Sequence, residues 1–116
     1  GEEFGGSVVN YKVEAWSWCA DYCKKNQWNP HDSYFWNKAN LEYRRQHNIF
    51  EVGDKVVFTD ILNSCVVTFE STETDPMQIV WLTYPDGTAG YVFHLNKIKH
   101  ATDEEIKAGK RLEVNQ

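Results

Sequence analysis

The residues with the clearest potential for metal chemistry are two cysteines near the start of the chain. Cys19 and Cys23 are four residues apart, so in a helix they share one face, and His31 follows eight residues later. Thiolates and imidazole are ligands that Zn²⁺ prefers, but structural zinc sites pair two such ligands with a second pair, which this sequence lacks. Free cysteine also behaves as a small core hydrophobe, so the same spacing fits a buried stripe. We predict no metal site and no cofactor.

Catalysis has no local motif to support it. The chain lacks a Gly-x-Ser-x-Gly turn, a His-Glu-x-x-His pair, a phosphate loop and a Gly-x-Gly-x-x-Gly turn. A Cys, His and acid set that only the fold brings together stays open as an alternative. The four histidines fit surface or turn positions better than catalytic ones. We predict that the protein is not an enzyme.

Aromatic residues are better candidates for a functional surface. The chain of 116 residues holds five tryptophans, six tyrosines and six phenylalanines, and many lie between Trp16 and Tyr43. Exposed Trp and Tyr clusters anchor protein interfaces, whereas buried ones fill cores, and both uses fit this segment. The predicted partner-binding residues in this segment are Trp16, Trp18, Tyr22, Trp28 and Trp36.

A second candidate surface lies in the C-terminal half. Tyr84, Asp86 and Tyr91 surround a predicted turn, and the acidic loop from Glu70 to Pro76 contributes Glu70, Glu73 and Asp75. Aromatic rings beside carboxylates can receive a basic peptide or a cationic side chain through ion pairing and cation–π contact. Tyr84, Asp86 and Tyr91 are therefore predicted to bind a partner, and a solvated turn is the alternative.

The charge distribution disfavours nucleic acid as a partner. The net charge is −5, and all of the excess acid lies in residues 51–116. Acidic surfaces repel phosphate backbones, which proteins bind through Lys and Arg. The alternative is a nucleic-acid-associated protein with a basic, aromatic face on its N-terminal half, formed by Lys12, Lys24, Lys25, Lys38, Arg44 and Arg45.

Two helices are predicted to position the N-terminal aromatics. Val9, Tyr11, Val13 and Ala15 alternate with polar residues, which predicts a short strand that enters, at about Ala15, a helix reaching about Lys25. The second helix is predicted from Pro30 to His47, with Asn29 as N-cap, Asp32 in the first turn and Asn48 as a left-handed C-cap.

The remainder of the chain predicts strands. Pro85-Asp86-Gly87 predicts a tight hairpin between the third and fourth strands, and a fifth short strand follows near Ile98. Thr102 and Glu105 form a capping box for a short helix that ends at Gly109. Four β-branched and aromatic runs form the first four antiparallel strands: 52–58, 64–69, 78–84 and 89–93.

Two segments resemble SH3-like barrels of the KOW, Tudor and bacterial SH3 kind. Val52-Gly53-Asp54-Lys55-Val56 is similar to the opening strand of such barrels, and Gly90-Tyr91-Val92-Phe93-His94-Leu95-Asn96-Lys97-Ile98 is similar to their ending. The resemblance covers roughly residues 50–101 and implies a small five-stranded antiparallel barrel. Phe93 stands where peptide-binding SH3 domains have proline, so PxxP recognition is not expected.

The tail from His100 to Leu112 resembles the ends of small tailed-bacteriophage proteins without an assigned function. That resemblance implies a protein that engages, and could inhibit, a bacterial host factor.

The expected organisation is one α+β domain over residues 8–116. It comprises a strand and helix segment (8–48) packed on the SH3-like barrel (49–101), followed by a capped short helix (102–112), and residues 1–7 read as a cloning remnant. Three cysteines form no closed disulfide framework, and neither a signal peptide nor a membrane span is evident. We expect a cytoplasmic, non-catalytic protein-binding module, monomeric or homodimeric, in the host cytoplasm if it is phage-encoded.

Overall fold

A computed structural model describes residues 10–60, 62–72 and 78–112. The described residues form two compact units, a helical unit of residues 10–49 and a β unit of residues 50–112. The predicted α+β class, with two long helices, a five-stranded antiparallel sheet and a short C-terminal helix, is confirmed. No helix in the described ranges is long and apolar enough to cross a membrane.

The first helix, α1 (Lys12–Lys25), begins earlier than predicted. Tyr11 and Ala15 are buried, whereas Val13 between them is 84% exposed, so the predicted strand is wrong for residues 12–15. Tyr11 and Ala15 are four residues apart. Residues with this spacing lie on the same face of a helix, and they also lie on the same face of a strand. The apolar pattern of this short segment therefore fits a helix as well as a strand. The helix is the structure that forms, and its spacing also buries Cys19 and Cys23.

The second helix, α2 (Ser33–His47), begins three residues later than predicted. Asp32, and not Asn29, is its N-cap, because an Asp32 carboxylate oxygen accepts the Tyr34 N–H at 2.9 Å. Asn29 instead closes a preceding turn by accepting the His31 N–H at 3.0 Å. The predicted left-handed cap at Asn48 is confirmed by its φ of 58°.

The five strands are β1 (Lys55–Phe58), β2 (Val66–Thr72), β3 (Val80–Thr83), β4 (Ala89–Val92) and β5 (Ile98–His100). The order across the sheet is β4-β3-β2-β1-β5, which leaves β4 and β5 at the edges, and closure into the expected barrel is not shown by this pairing. β1 is shorter than predicted because Gly53, at a φ of 96°, and Asp54 make a turn. β2 reaches Thr72, so Glu70 belongs to a strand, and Glu73 and Asp75 lie outside the described residues.

The larger core cluster of the β unit lies on one face of the sheet, and Val57 and Val66 form a smaller buried cluster with Ala101 on the other face. Buried residues alternate with more exposed ones along β3, as expected for a sheet packed on one side. The closing elements are a 3₁₀ turn (Leu95–Lys97) and the helix α3 (Asp103–Ala108), where the predicted capping box at Thr102 is confirmed. The core cluster consists of Phe50, Val56, Phe58, Val67, Phe69, Val80, Leu82 and Ile98.

Candidate functional site

A groove of about 700 Å³ opens in the β unit. Its volume falls within the range of small-ligand and peptide sites. Two of the predicted site residues, Tyr84 and Tyr91, line it together. The full lining is Phe58, Thr59, Asp60, Asn63, Tyr84, Tyr91, Val92, Phe93 and Lys97.

Sheet curvature brings the two walls of this groove together. One wall is the end of β1 and the chain that follows it, and the other is β4 and Phe93. In the sheet, β1 and β4 are separated by β2 and β3. Both can line one groove only because the sheet curls across its strands, as twisted sheets do. The groove therefore occupies the gap between the β4 edge and the end of β1.

The apolar lining grades from buried to exposed. Phe58 is buried and lies 6.2 Å from the half-buried ring of Tyr84, measured between ring centroids. Tyr91 and Phe93 are 53% and 50% exposed, with their centroids 5.3 Å apart in an edge-on arrangement. Trp81 packs beside Tyr91 at 5.6 Å. An entering side chain would meet exposed rings first and a sheltered floor behind them.

Polar groups stand among these rings. Asp60 and Lys97 supply one charge of each sign, and both side chains are exposed. An Asp60 carboxylate oxygen accepts the Leu62 N–H at 2.9 Å, which fixes its orientation. Asn63 donates to the hydroxyl of Tyr84 at 3.4 Å. The groove can therefore pair with a cation, an anion or a backbone amide while its rings cover apolar atoms.

The wall after β1 is held by residues far along the chain. Arg111 Nη1 donates to the carbonyl oxygens of Phe58 and Asp60, at 2.8 Å each. The Thr59 N–H donates to the Lys97 carbonyl at 2.9 Å. These bonds position the Asp60 backbone before any ligand arrives, which lowers the ordering cost of binding.

The predicted residue Asp86 lies outside the groove lining. Its carboxylate accepts two hydrogen bonds from Thr88, at 3.0 Å from the backbone N–H and at 2.7 Å from the hydroxyl. These bonds lower the pKa of Asp86. Glu70, predicted to lie near the ligand, accepts a hydrogen bond from the Thr83 hydroxyl at 2.7 Å. The carboxylate that lines the groove together with Tyr84 and Tyr91 is that of Asp60.

The predicted aromatic residues of the helical unit serve mainly its packing. Trp18 stacks on Tyr22 at 5.0 Å, and Tyr22 meets Trp28 edge-on at 5.7 Å. These three rings and Trp36 pack against the buried cluster of the unit and are half-buried. Trp16 differs, because it is 62% exposed while contacting Trp36 at 6.5 Å.

Cys19 and Cys23 are buried within the same cluster. The Cys19 thiol donates to the Asn40 side-chain oxygen at 3.5 Å. Burial, together with the neighbouring Cys23, raises the pKa of Cys19 to about 11, and burial also raises the pKa of Cys23. Across residues 10–60, 62–72 and 78–112, no group of three or more His, Cys, Asp or Glu side chains is placed to hold a metal ion.

The alternative basic face loses one of its members. Arg44 is buried in the helical unit, where its Nη1 donates to the Tyr11 hydroxyl at 2.7 Å and its guanidinium lies 5.7 Å from the Tyr11 ring centre. The prediction that Arg44 lies on an exposed face is wrong. Its periodic position on α2 points it inward, and a tyrosine from the other helix supplies the polar contact.

Comparison of the chain with family models, curated proteins and solved structures found no match. The site therefore rests on its own geometry. Sequence reasoning missed seven of its nine lining residues, and only Val92 and Phe93, which follow Tyr91 in the predicted fourth strand, carried a usable signal. The other five are Phe58, Thr59, Asp60, Asn63 and Lys97.

Proposed function

We propose that this protein is a non-catalytic protein-interaction module and that the groove of the β unit receives a segment of its partner. The observation that carries the proposal is the joining of exposed rings, a sheltered aromatic floor and one carboxylate in a single groove of about 700 Å³. Aromatic anchors in such depressions supply most of the binding energy at protein interfaces.

The charges favour a basic segment. Residues 51–116 hold the whole net negative charge of the chain, and Asp60 places part of it among the rings. A lysine or arginine of the partner could pair with Asp60 and lie over Tyr91 or Phe93, combining ion pairing with cation–π attraction. Lys97 can bind a carbonyl or carboxylate of the same segment.

The helical unit offers a second contact. Trp16 and Tyr34 are both 62% exposed, and large exposed rings of this kind are typical interface anchors. The resemblance of the tail to phage proteins makes a bacterial host protein the first partner to seek. The helical contact would add to the groove without replacing it.

Affinity capture from a bacterial lysate, with nuclease treatment and mass spectrometry, tests the proposal. Asp60→Asn keeps an oxygen for the Leu62 N–H while removing the charge, and Tyr91→Ser removes an exposed ring. The matched control is Glu104→Gln, because its side chain is exposed and lies outside the groove. Tyr34→Ser tests the helical contact separately, since Tyr34 is exposed and also lies outside the groove.

We expect one protein to be retained by wild type and by Glu104→Gln, to weaken about tenfold or more with Asp60→Asn and with Tyr91→Ser, and to survive nuclease. Partial weakening with Tyr34→Ser would support the helical contact. Capture of nucleic acid alone, or of a protein indifferent to both groove variants, would contradict the proposed function.

A further inference from the structure

Within the described part of the chain, the edge strand β4 has none of the usual protection of sheet edges. Sheet edges are normally guarded by charged residues, proline or bulges, because their unpaired backbone groups can bind another strand. Residues 89–93 read Ala-Gly-Tyr-Val-Phe, with neither charge nor proline, and the pairing of β4 with β3 runs without a register shift. This edge is therefore open to strand pairing.

The register of the hairpin identifies the backbone groups that face the open side. The Tyr84 N–H donates to the Thr88 carbonyl at 2.8 Å, and the pairs continue as Thr83↔Ala89, Leu82↔Gly90 and Trp81↔Tyr91. Hydrogen-bonded and non-hydrogen-bonded pairs alternate in antiparallel ladders. Gly90 and Val92 thus bond to β3, whereas Ala89 and Tyr91 direct their N–H and C=O groups away from the sheet.

The open edge and the groove are continuous, because Tyr91, Val92 and Phe93 line the groove. We propose that the partner segment is an extended strand that hydrogen-bonds to Ala89 and Tyr91 and adds to β4 as a sixth strand. This inference rests on the proposed function and states how the groove holds its ligand. Backbone pairing would supply affinity, and alternate side chains would enter the groove.

Charge favours a basic segment of another protein over a second copy of this chain. Each copy carries a net charge of −5, so two copies repel, whereas a basic segment is attracted by the net charge and can pair with Asp60, which lines the same groove as Tyr91. Lys97 in that groove leaves room for one carbonyl or carboxylate of the same segment. The opposite wall, from Phe58 to Asn63, limits the space next to β4. A single strand fits this arrangement better than the edge of another sheet.

The experiment uses peptides selected from a random dodecapeptide library displayed on phage, with the intact protein as bait. Peptides are kept when Asp60→Asn or Tyr91→Ser weakens them and Glu104→Gln does not. Each residue of the best peptide is then N-methylated in turn, and every affinity is measured by fluorescence polarisation. N-methylation removes one backbone donor from the peptide and leaves the protein and its fold unchanged.

Strand addition predicts a two-residue period. Methylation at the alternate residues that donate to Ala89 and Tyr91 should weaken binding about tenfold or more, and methylation at the residues between them should change it by less than about threefold. In the complex, amide exchange at Ala89 and Tyr91 should slow by about tenfold or more, while Gly90 and Val92, already bonded to β3, change little.

Three results would overturn the inference. A peptide that depends on Asp60 and Tyr91 but shows no such period would refute strand addition while leaving the proposed function intact. A selection that yields no peptide sensitive to the groove variants would refute both. A concentration-dependent dimer in sedimentation that protects the same two amides would show that a second copy, and not a partner, occupies the edge.

Discussion

At the scale of single residues, the helical unit is organised around polar groups that it buries with partners. The Cys19 thiol bonds to Asn40, and the Arg44 guanidinium bonds to the Tyr11 hydroxyl and lies over the ring. Buried polar groups are costly unless they are hydrogen-bonded, so these contacts specify how α1 and α2 meet. A thiol in such a place stays protonated at neutral pH, which makes it a packing residue.

The first prediction concerns the pH dependence of stability. The pKa of Cys19 is about 11 in the folded protein against an ordinary value of 9.0. Since the folded state holds the thiol proton more tightly than the unfolded state, protonated Cys19 contributes to the free energy of unfolding. This contribution is complete below pH 9 and is lost as the pH rises through about 11. In urea unfolding, the free energy of unfolding should fall less between pH 8 and pH 11 in Cys19→Ala than in wild type. Cys65→Ala is the control and should behave as wild type. If the free energy of unfolding fell equally in wild type and in Cys19→Ala, Cys19 would not be a source of the pH dependence.

At the scale of elements, the start of a helix is set by the side-chain oxygen that accepts a backbone N–H of its first turn. Asn29 followed by Pro30 carries the signals of a helix start, yet α2 begins after Asp32. The two capping residues lie one turn apart, and each accepts an N–H two residues ahead. Only the second of these bonds leads into continuous helix.

The second prediction follows from that difference. Asp32→Ala should lower the free energy of unfolding by about 1 kcal/mol, since it removes the N-cap of a helix of 15 residues. Asn29→Ala is the matched control and should cost less, because it opens only the preceding turn. Urea denaturation of both variants decides the point. If Asn29→Ala were the more damaging, α2 would begin where the sequence signals place it.

At the scale of the β unit as a whole, the groove depends on contacts between distant parts of the chain. Arg111 holds the carbonyls of Phe58 and Asp60, which precede it by about fifty residues. Its own N–H donates to the Ser64 carbonyl at 2.7 Å. One arginine after α3 thus braces both ends of the segment that forms a groove wall.

The third prediction tests this brace. Arg111→Gln should lower the free energy of unfolding by about 1–2 kcal/mol, because the Phe58 and Asp60 carbonyls, the first in a part-buried and the second in an exposed hydrogen bond, lose a charged donor. Amide exchange should quicken at Asn63 and Cys65, whose N–H groups bond within that wall. Lys110→Gln, at an exposed neighbour, is the control and should leave both measurements unchanged. Unaltered amide exchange in Arg111→Gln would show that the groove wall from Phe58 to Asn63 stays ordered without Arg111.

The sequence by itself determined the features that depend on near neighbours. The hairpin at Pro85-Asp86-Gly87, the capping box of Thr102 and Glu105, the left-handed Asn48 and the five strands all follow from residues within a few positions of one another. Where two local rules fit the same residues, as for Tyr11 and Ala15 or for the two possible caps of α2, the choice needed the packing of the whole unit.

Only the tertiary structure decided the groove. Phe58 and Asp60 lie far from Tyr91 in the sequence, and they meet it because β2 and β3 curl between the strands that carry them. Lys97 joins them because β5, which follows it, pairs directly with β1. Composition indicated that aromatic residues would matter, but burial divided them, placing Trp18, Tyr22 and Trp28 against a core and leaving Tyr91 and Phe93 in the groove. Strand register and sheet curvature are collective properties, so no single segment of the sequence encodes them.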